Sequence, residues 1–199
     1  MVAHLRDLRR QRTETDIQTI AIRLVKDHGY DAVTTSMIAD EGGMSARTFF
    51  NYYENKEAAI LGPRNTLTQV LVEHLRHSRG NLFDDLRRFI SDHLVALSGQ
   101  RALMRDIHRI AAGIPRLQVM REQRGHDIRV ALVDTLRARL GDDDADLSAF
   151  VADIAFSALW QSYQLWVESD DMETTEAVDL AFDRVGRTLS ALTPPGTVV

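Results

Sequence analysis

The chain has 199 residues, 44% hydrophobic and 27% charged, with a net charge of −5 and no cysteine. This is the composition of a folded globular protein with ample core material, and counting alone excludes disulfides, thiolate metal sites and cysteine nucleophiles. No apolar run approaches ~18 residues, and the opening stretch Met1 to Arg12 is charged, with no hydrophobic segment that can serve as a signal peptide. The expected location is therefore the cytoplasm, without a membrane partner.

The negative total hides an uneven distribution. Residues 1–60 carry 8 Lys/Arg and 9 Asp/Glu, and within them Arg6, Arg9, Arg10 and Arg12 face only Asp7. Residues 1–12 are expected to form a flexible basic arm. Because the Debye length is roughly 8 Å in physiological salt, a local cluster can attract phosphate on an acidic protein.

In chain order, Ile17, Ile20, Ala21, Leu24 and Val25 recur at helical spacing and predict a first helix that begins near Thr13 or Thr15 and ends at Gly29. Thr34 is a predicted N-cap for a short helix through Met37, Ile38 and Glu41. Gly42-Gly43 makes a turn, Met44 is an anchor, and Ser45 caps a second short helix, Arg47 to Tyr53. Two short helices joined by a tight Gly-containing turn, behind a longer supporting helix, make a helix-turn-helix over Thr34 to Tyr53. The remainder predicts helices over Ala58 to Arg76, perturbed by Pro63; from Asn81 or Asp84 to Leu97; over Arg101 to Ala112; and from Pro115 to Leu140. A helix from Leu147 to Trp166 and another from Thr174 or Thr175 to Leu192 follow, with Pro194-Pro195-Gly196 beyond. No segment alternates with a period of two, so the expected fold is all-α. The expected divisions are the arm (1–12), a helix-turn-helix domain (13–57), a helical domain (58–193) and a C-terminal tail (194–199).

A helix that enters the major groove needs apolar positions against its support, small or polar positions toward bases, and hydroxyls or cations toward phosphate. Ile38, Met44, Phe49 and Tyr53 suit the first task. Ser45, Ala46, Arg47 and Asn51 suit the second, since Arg can pair with guanine O6 and N7 and Asn with adenine N6 and N7. Thr35, Ser36, Thr48, Tyr52 and Lys56 suit the third. Double-stranded DNA is the expected partner.

The run Ile38-Ala39-Asp40-Glu41-Gly42-Gly43-Met44-Ser45-Ala46-Arg47-Thr48-Phe49-Phe50-Asn51-Tyr52-Tyr53-Glu54-Asn55-Lys56-Glu57-Ala58 closely resembles the signature of the tetracycline-repressor-like (TetR) family, roughly I-A-x-x-A-G-V-S-x-G-T-[FL]-Y-x-[HY]-F-x-[SN]-K-E-x-L. The resemblance covers about residues 13–61. It implies three DNA-binding helices followed by about six that bind a small, often apolar, molecule and dimerise, nine in all, in a repressor released from DNA by that molecule. It places Thr35, Thr48, Tyr52 and Lys56 at phosphate positions and Ala46, Arg47 and Asn51 at base-facing ones. Three residues depart from the pattern: Arg47 stands for Gly, Phe50 for Tyr and Tyr53 for Phe.

In the helical domain, Phe89, His93, Met104, His108, Leu117, Met120, Trp160, Tyr163, Gln164 and Trp166 are the candidate wall of an effector cavity, a mixture of large apolar and a few polar groups. The broad apolar stripe of the last two helices has two readings. One is a homodimer interface through Phe150, Ile154, Ala158, Ser162, Val178, Ala181, Val185 and Leu189; the other is the core of a single chain. No metal site is expected, because H-E-x-x-H spacing is absent and the acidic run Asp142 to Asp146 lacks the pattern of a calcium loop. No cofactor loop or catalytic motif is present either, so an enzyme is not expected. A ligand-independent or activating regulator, and a helical binding protein or enzyme whose motif no longer reads DNA, are the remaining alternatives.

Overall fold

A computed structural model describes residues 2–64, 67, 69–141 and 145–192. The tail at 194–199 and Asp142 to Asp144 of the acidic run lie outside the described residues. Among the described residues the fold is all-α: α1 (Val2–His28), α2 (Thr35–Glu41), α3 (Ala46–Phe50), α4 (Lys56–Leu61), α5 (Gln69–His77), α6 (Leu82–Leu97), α7 (Arg101–Ala112), α8 (Pro115–Leu140), α9 (Ala145–Glu168) and α10 (Thr174–Leu192), with a 3-10 turn at Ser98–Gln100.

Two elements differ from expectation. The flexible arm at 1–12 is replaced by helix from Val2, continuous with α1. Residues 2–28 contain no Gly or Pro to interrupt it, and Arg10 supports it by pairing with Glu14 one turn on, at 2.9 Å. The helix expected over Ala58 to Arg76 is split into α4 and α5. Gly62 ends α4 with φ +76°, a conformation glycine adopts without a Cβ penalty, and Pro63 follows with no N–H to continue the ladder. A Cβ on Gly62 would also lie 2.1 Å from the buried Gln18 side chain.

The chain divides into two compact units. The first comprises residues 1–65 and 103–124, the second 66–102 and 125–199. Most of α7 and the start of α8 thus group with the helix-turn-helix. In the first unit, α1 supports α2 and α4, and Ile17, Ala21, Ile38, Phe49, Ala59 and Ile60 are fully buried. In the second, α10 packs on α9 and α6. Its core is built from Phe89, Ile90 and Leu94 of α6, Leu132 and Leu136 of α8, Ala155 and Trp166 of α9, and Val178 and Phe182 of α10.

Of the eight residues assigned to a dimer interface, Ala158, Ser162, Val178 and Ala181 are buried within the single chain. For these four the single-chain core accounts for the burial, since α6 and α10 pack on α9. Phe150 (66% exposed) and Leu189 remain on the surface, with Ile154 and Val185 half-buried.

Candidate nucleic-acid interface

The helix-turn-helix is assembled by local hydrogen bonds. Thr34 caps α2, its Oγ1 accepting from Met37 N at 3.2 Å. Ser45 caps α3, its Oγ accepting from Thr48 N at 3.1 Å, and its hydroxyl shares a 2.9 Å bond with that of Thr48. Such caps satisfy N–H groups that a helix start leaves unpaired. Gly43, at φ +62°, reverses the chain between them, and Met44 N returns to the Ala39 carbonyl at 3.0 Å.

Burial then sorts α3 into two faces. Phe49 is fully buried, while Ala46, Arg47, Phe50 and Asn51 are exposed. Helical spacing makes Ala46 and Phe50 neighbours, and likewise Arg47 and Asn51. Thr35, at the start of α2, is half-buried beside exposed Ser36, and Thr48 and Tyr52 are half-buried. The structure thus brings the sequence-predicted base-facing residues to one outward surface.

Lys56 has a role that its place in the sequence does not reveal. Its Nζ donates to the carbonyls of Tyr30 and Val33 at 2.7 and 2.9 Å and lies 4.1 Å from the centre of the Tyr30 ring. Two of its three N–H groups therefore fasten the α1–α2 connection to α4. Tyr30 in turn donates to the buried Glu57 carboxylate at 2.6 Å, which also pairs with Arg116 of α8 at 3.3 Å. Burial, then the bond to Glu57, pushes the Tyr30 phenol up to about 12, so it remains a donor at neutral pH. Tyr53 uses the hydroxyl that marks its departure from the family pattern to reach the Glu14 carbonyl of α1 at 3.0 Å. Burial raises its pKa as well.

Arg10 also does more than its place in a basic segment suggests: it folds back over the Tyr52 ring at 5.4 Å and reaches the Asn51 carbonyl at 3.4 Å. Arg6, Arg9 and Arg12 are exposed. Replacing these three together with Ala is expected to lower the slope of log K against log salt by about 0.9 for each phosphate that is no longer neutralised. Affinity should fall similarly on every DNA sequence, as fluorescence anisotropy on unrelated duplexes would read; an unchanged slope would remove the N-terminal cations from the interface.

The candidate effector residues fall in different units. Met104, His108, Leu117 and Met120 belong to the first; Phe89, His93, Trp160, Tyr163, Gln164 and Trp166 belong to the second. In the second, Trp160 stacks on Tyr163 at 5.7 Å and Tyr163 lies 6.3 Å from Trp166. His93 is buried and its Nδ1 has no hydrogen-bond partner among the described residues. Burial lowers its pKa, which keeps the imidazole neutral near pH 7. Among the described residues no group of three His, Asp or Glu side chains is placed to hold a metal ion, and no helix is long and apolar enough to cross a membrane.

A three-helix unit with a capped turn and an exposed polar face on its last helix has the arrangement of a helix-turn-helix DNA-binding domain. Residues 18–60 match the family model "Bacterial regulatory proteins, tetR family". A relative from Mycobacterium tuberculosis, described as a candidate mycofactocin biosynthesis transcriptional regulator, MftR, is 29% identical over 188 residues, covering 92% of this chain and 94% of its own. A candidate tetR-family transcriptional regulator from Mesorhizobium loti is 16% identical with a TM-score of 0.55, covering 92% of this chain and 98% of its own. The fatty acid degradation regulator FadR from Bacillus halodurans is also 16% identical, with a TM-score of 0.53 over 86% of this chain and 93% of its own; both share its fold. The helix-turn-helix, residues 18–60, is thus similar to that of the tetR family of bacterial regulatory proteins.

Proposed function

We propose that this protein is a cytoplasmic, homodimeric repressor that holds a palindromic operator and is released by a small apolar or amphipathic effector. The observation that carries the reading is the outward face of α3, where Arg47 and Asn51 stand exposed one helical turn apart on a buried Phe49 anchor. The regulator named among its relatives supports a role in transcription.

Dimerisation is supported by apolar residues that the single chain leaves exposed on α9 and α10, among them Leu147, Phe150, Leu180, Leu189 and Leu192. A second copy would bury them. An effector site in the second unit is supported by His93, because a buried polar atom without a partner costs free energy unless something occupies it. Neutral imidazole beside the apolar Phe89 suits an apolar molecule with one polar group.

The route from effector to DNA runs along α8. Within the first unit, Arg124 of α8 donates to the carbonyls of Leu61 and Gly62 at 3.0 and 2.9 Å, closing the C-terminal end of α4. Arg116 engages Glu57 at the other end. A shift of α8, which continues into the second unit, would carry α4 with it and move one recognition helix relative to its copy. Half-sites lie ~34–36 Å apart, so a small pivot breaks one set of base contacts.

Light scattering should give twice the chain mass, and gel-shift titration with an effector found by thermal-shift screening should weaken operator binding. Coupling between two sites is typically ~5–150-fold. In Arg124→Ala that coupling should fall severalfold while effector affinity is retained. Equal operator affinity with and without a bound effector would reject release by ligand.

A further inference from the structure

We infer that Phe50 reads the 5-methyl group of thymine in the operator, with Ala46 completing an apolar ridge beside the polar ridge of Arg47 and Asn51. The inference rests on α3 being the helix that enters the groove. Phe50 is 54% exposed although its neighbour Phe49 is fully buried, and the two rings meet edge to face at 5.4 Å. Phe49 thus holds the base of the Phe50 ring while the rest projects outward. Single exposed apolar residues are common on protein surfaces, but this one lies on the face that carries Arg47 and Asn51. It has no hydroxyl, so it cannot donate to phosphate; what it offers is apolar surface.

Major-groove base edges are nearly all hydrogen-bond donors and acceptors. Their one distinctive apolar group is the thymine methyl, which Ala and Phe contact favourably. Ala46 and Phe50 are four residues apart, a rise of about 6 Å, which spans about two base-pair steps of 3.4 Å. Arg47 and Asn51 span the same distance on the adjoining ridge. An A·T pair presents adenine N6 and N7 beside the thymine methyl, as α3 presents Asn51 beside Phe50. The two ridges therefore select together: Arg47 for guanine, and Asn51 with Phe50 for a nearby A·T pair.

The test uses the full-length protein and a duplex selected by it from random-sequence DNA. Each thymine of the half-site is replaced in turn by deoxyuridine, which removes only the methyl. One position per half-site should weaken binding about fourfold, and both together about fifteenfold, the worth of one buried methyl at each. Phe50→Ala should abolish the thymine–deoxyuridine difference, with circular dichroism melting confirming the fold. Crosslinking of 5-iodouracil at that position should map to Phe50 in the wild-type protein, independently of any variant. Insensitivity to deoxyuridine, or a methyl effect that survives in Phe50→Ala, overturns the inference. If specificity still depends on Arg47 in that case, α3 remains the reading helix. Failure to select any preferred sequence would remove both.

Discussion

Arg47→Ala is expected to reduce affinity for the selected operator by about 1–3 kcal/mol per half-site, or roughly 5- to 150-fold each. The guanidinium is exposed on α3 and makes no hydrogen bond or ion pair among the described residues, so its removal leaves the fold intact. The loss should be specific. Binding to random duplex, which is set by phosphate neutralisation, should fall only slightly, so the ratio of specific to non-specific affinity drops by nearly the whole effect. Asn51→Ala should relax a different base position, and the double variant should combine the two. Competition gel shifts with operator and random duplex read both quantities. Unchanged specificity in the double variant would take base readout away from this face, even with DNA binding retained.

Arg139→Ala is the substitution expected to cost most stability. The Arg139 side chain is only 6% exposed and meets Asp85 at 2.5 Å. It also donates to the carbonyls of Leu75 and Gly80 at 3.2 and 3.0 Å. One guanidinium thus joins α8 to the end of α5, the α5–α6 turn and the first turn of α6. Asp85 is held below its usual pKa first by the Ser78 hydroxyl, at 2.6 Å, and then by Arg139. Removing one member of a fully buried pair costs ~3–5 kcal/mol; this pair is part-buried and Asp85 keeps Ser78 and some solvent, so no more than the lower end, about 3 kcal/mol, is expected. For a chain of this size that corresponds to a fall in Tm of about 6–12 °C. Arg139→Lys should recover part of the charge but not the three-way junction. Thermal unfolding by circular dichroism decides it: a shift under about 2 °C would show that the cluster is not a major support.

The acid side follows from the same pair. Because the Asp85 carboxyl is held below its unfolded value, its contribution is complete above the ordinary carboxylate pKa and is lost as pH falls through the lowered one. Arg139→Ala should therefore flatten the acid limb of the stability curve as well as lower the plateau.

Local features are legible in the sequence alone. The caps at Thr34 and Ser45, the Gly42-Gly43 turn and the starts of α7 and α8 all fall where the residues place them, because each depends on neighbours within one helical turn. Pro63 by itself signals only a perturbed helix; it becomes a break because Gly62, with positive φ, precedes it. The charge of the segment before Arg12 suggests an arm, yet with no breaker it continues α1. Lys56 suits phosphate when nothing nearby in sequence competes for it. Its partners, Tyr30 and Val33, lie more than 20 residues away.

By itself, the sequence determined an all-α fold with a helix-turn-helix whose second short helix carries Arg47 and Phe50, with Asn51 at its C-cap, since cap chemistry, glycine conformation and helical spacing act over four residues or fewer. Only the tertiary structure decided which side chains remain free to act. It buried Ala158, Ser162, Val178 and Ala181 in the chain's own core, engaged Lys56 and Arg10 in holding the helix-turn-helix together, grouped the start of α8 with the DNA-binding helices, and left Phe50 outside while enclosing Phe49. Those outcomes depend on which distant surface covers each residue, and that is settled only when helices far apart in sequence compete to bury their apolar faces.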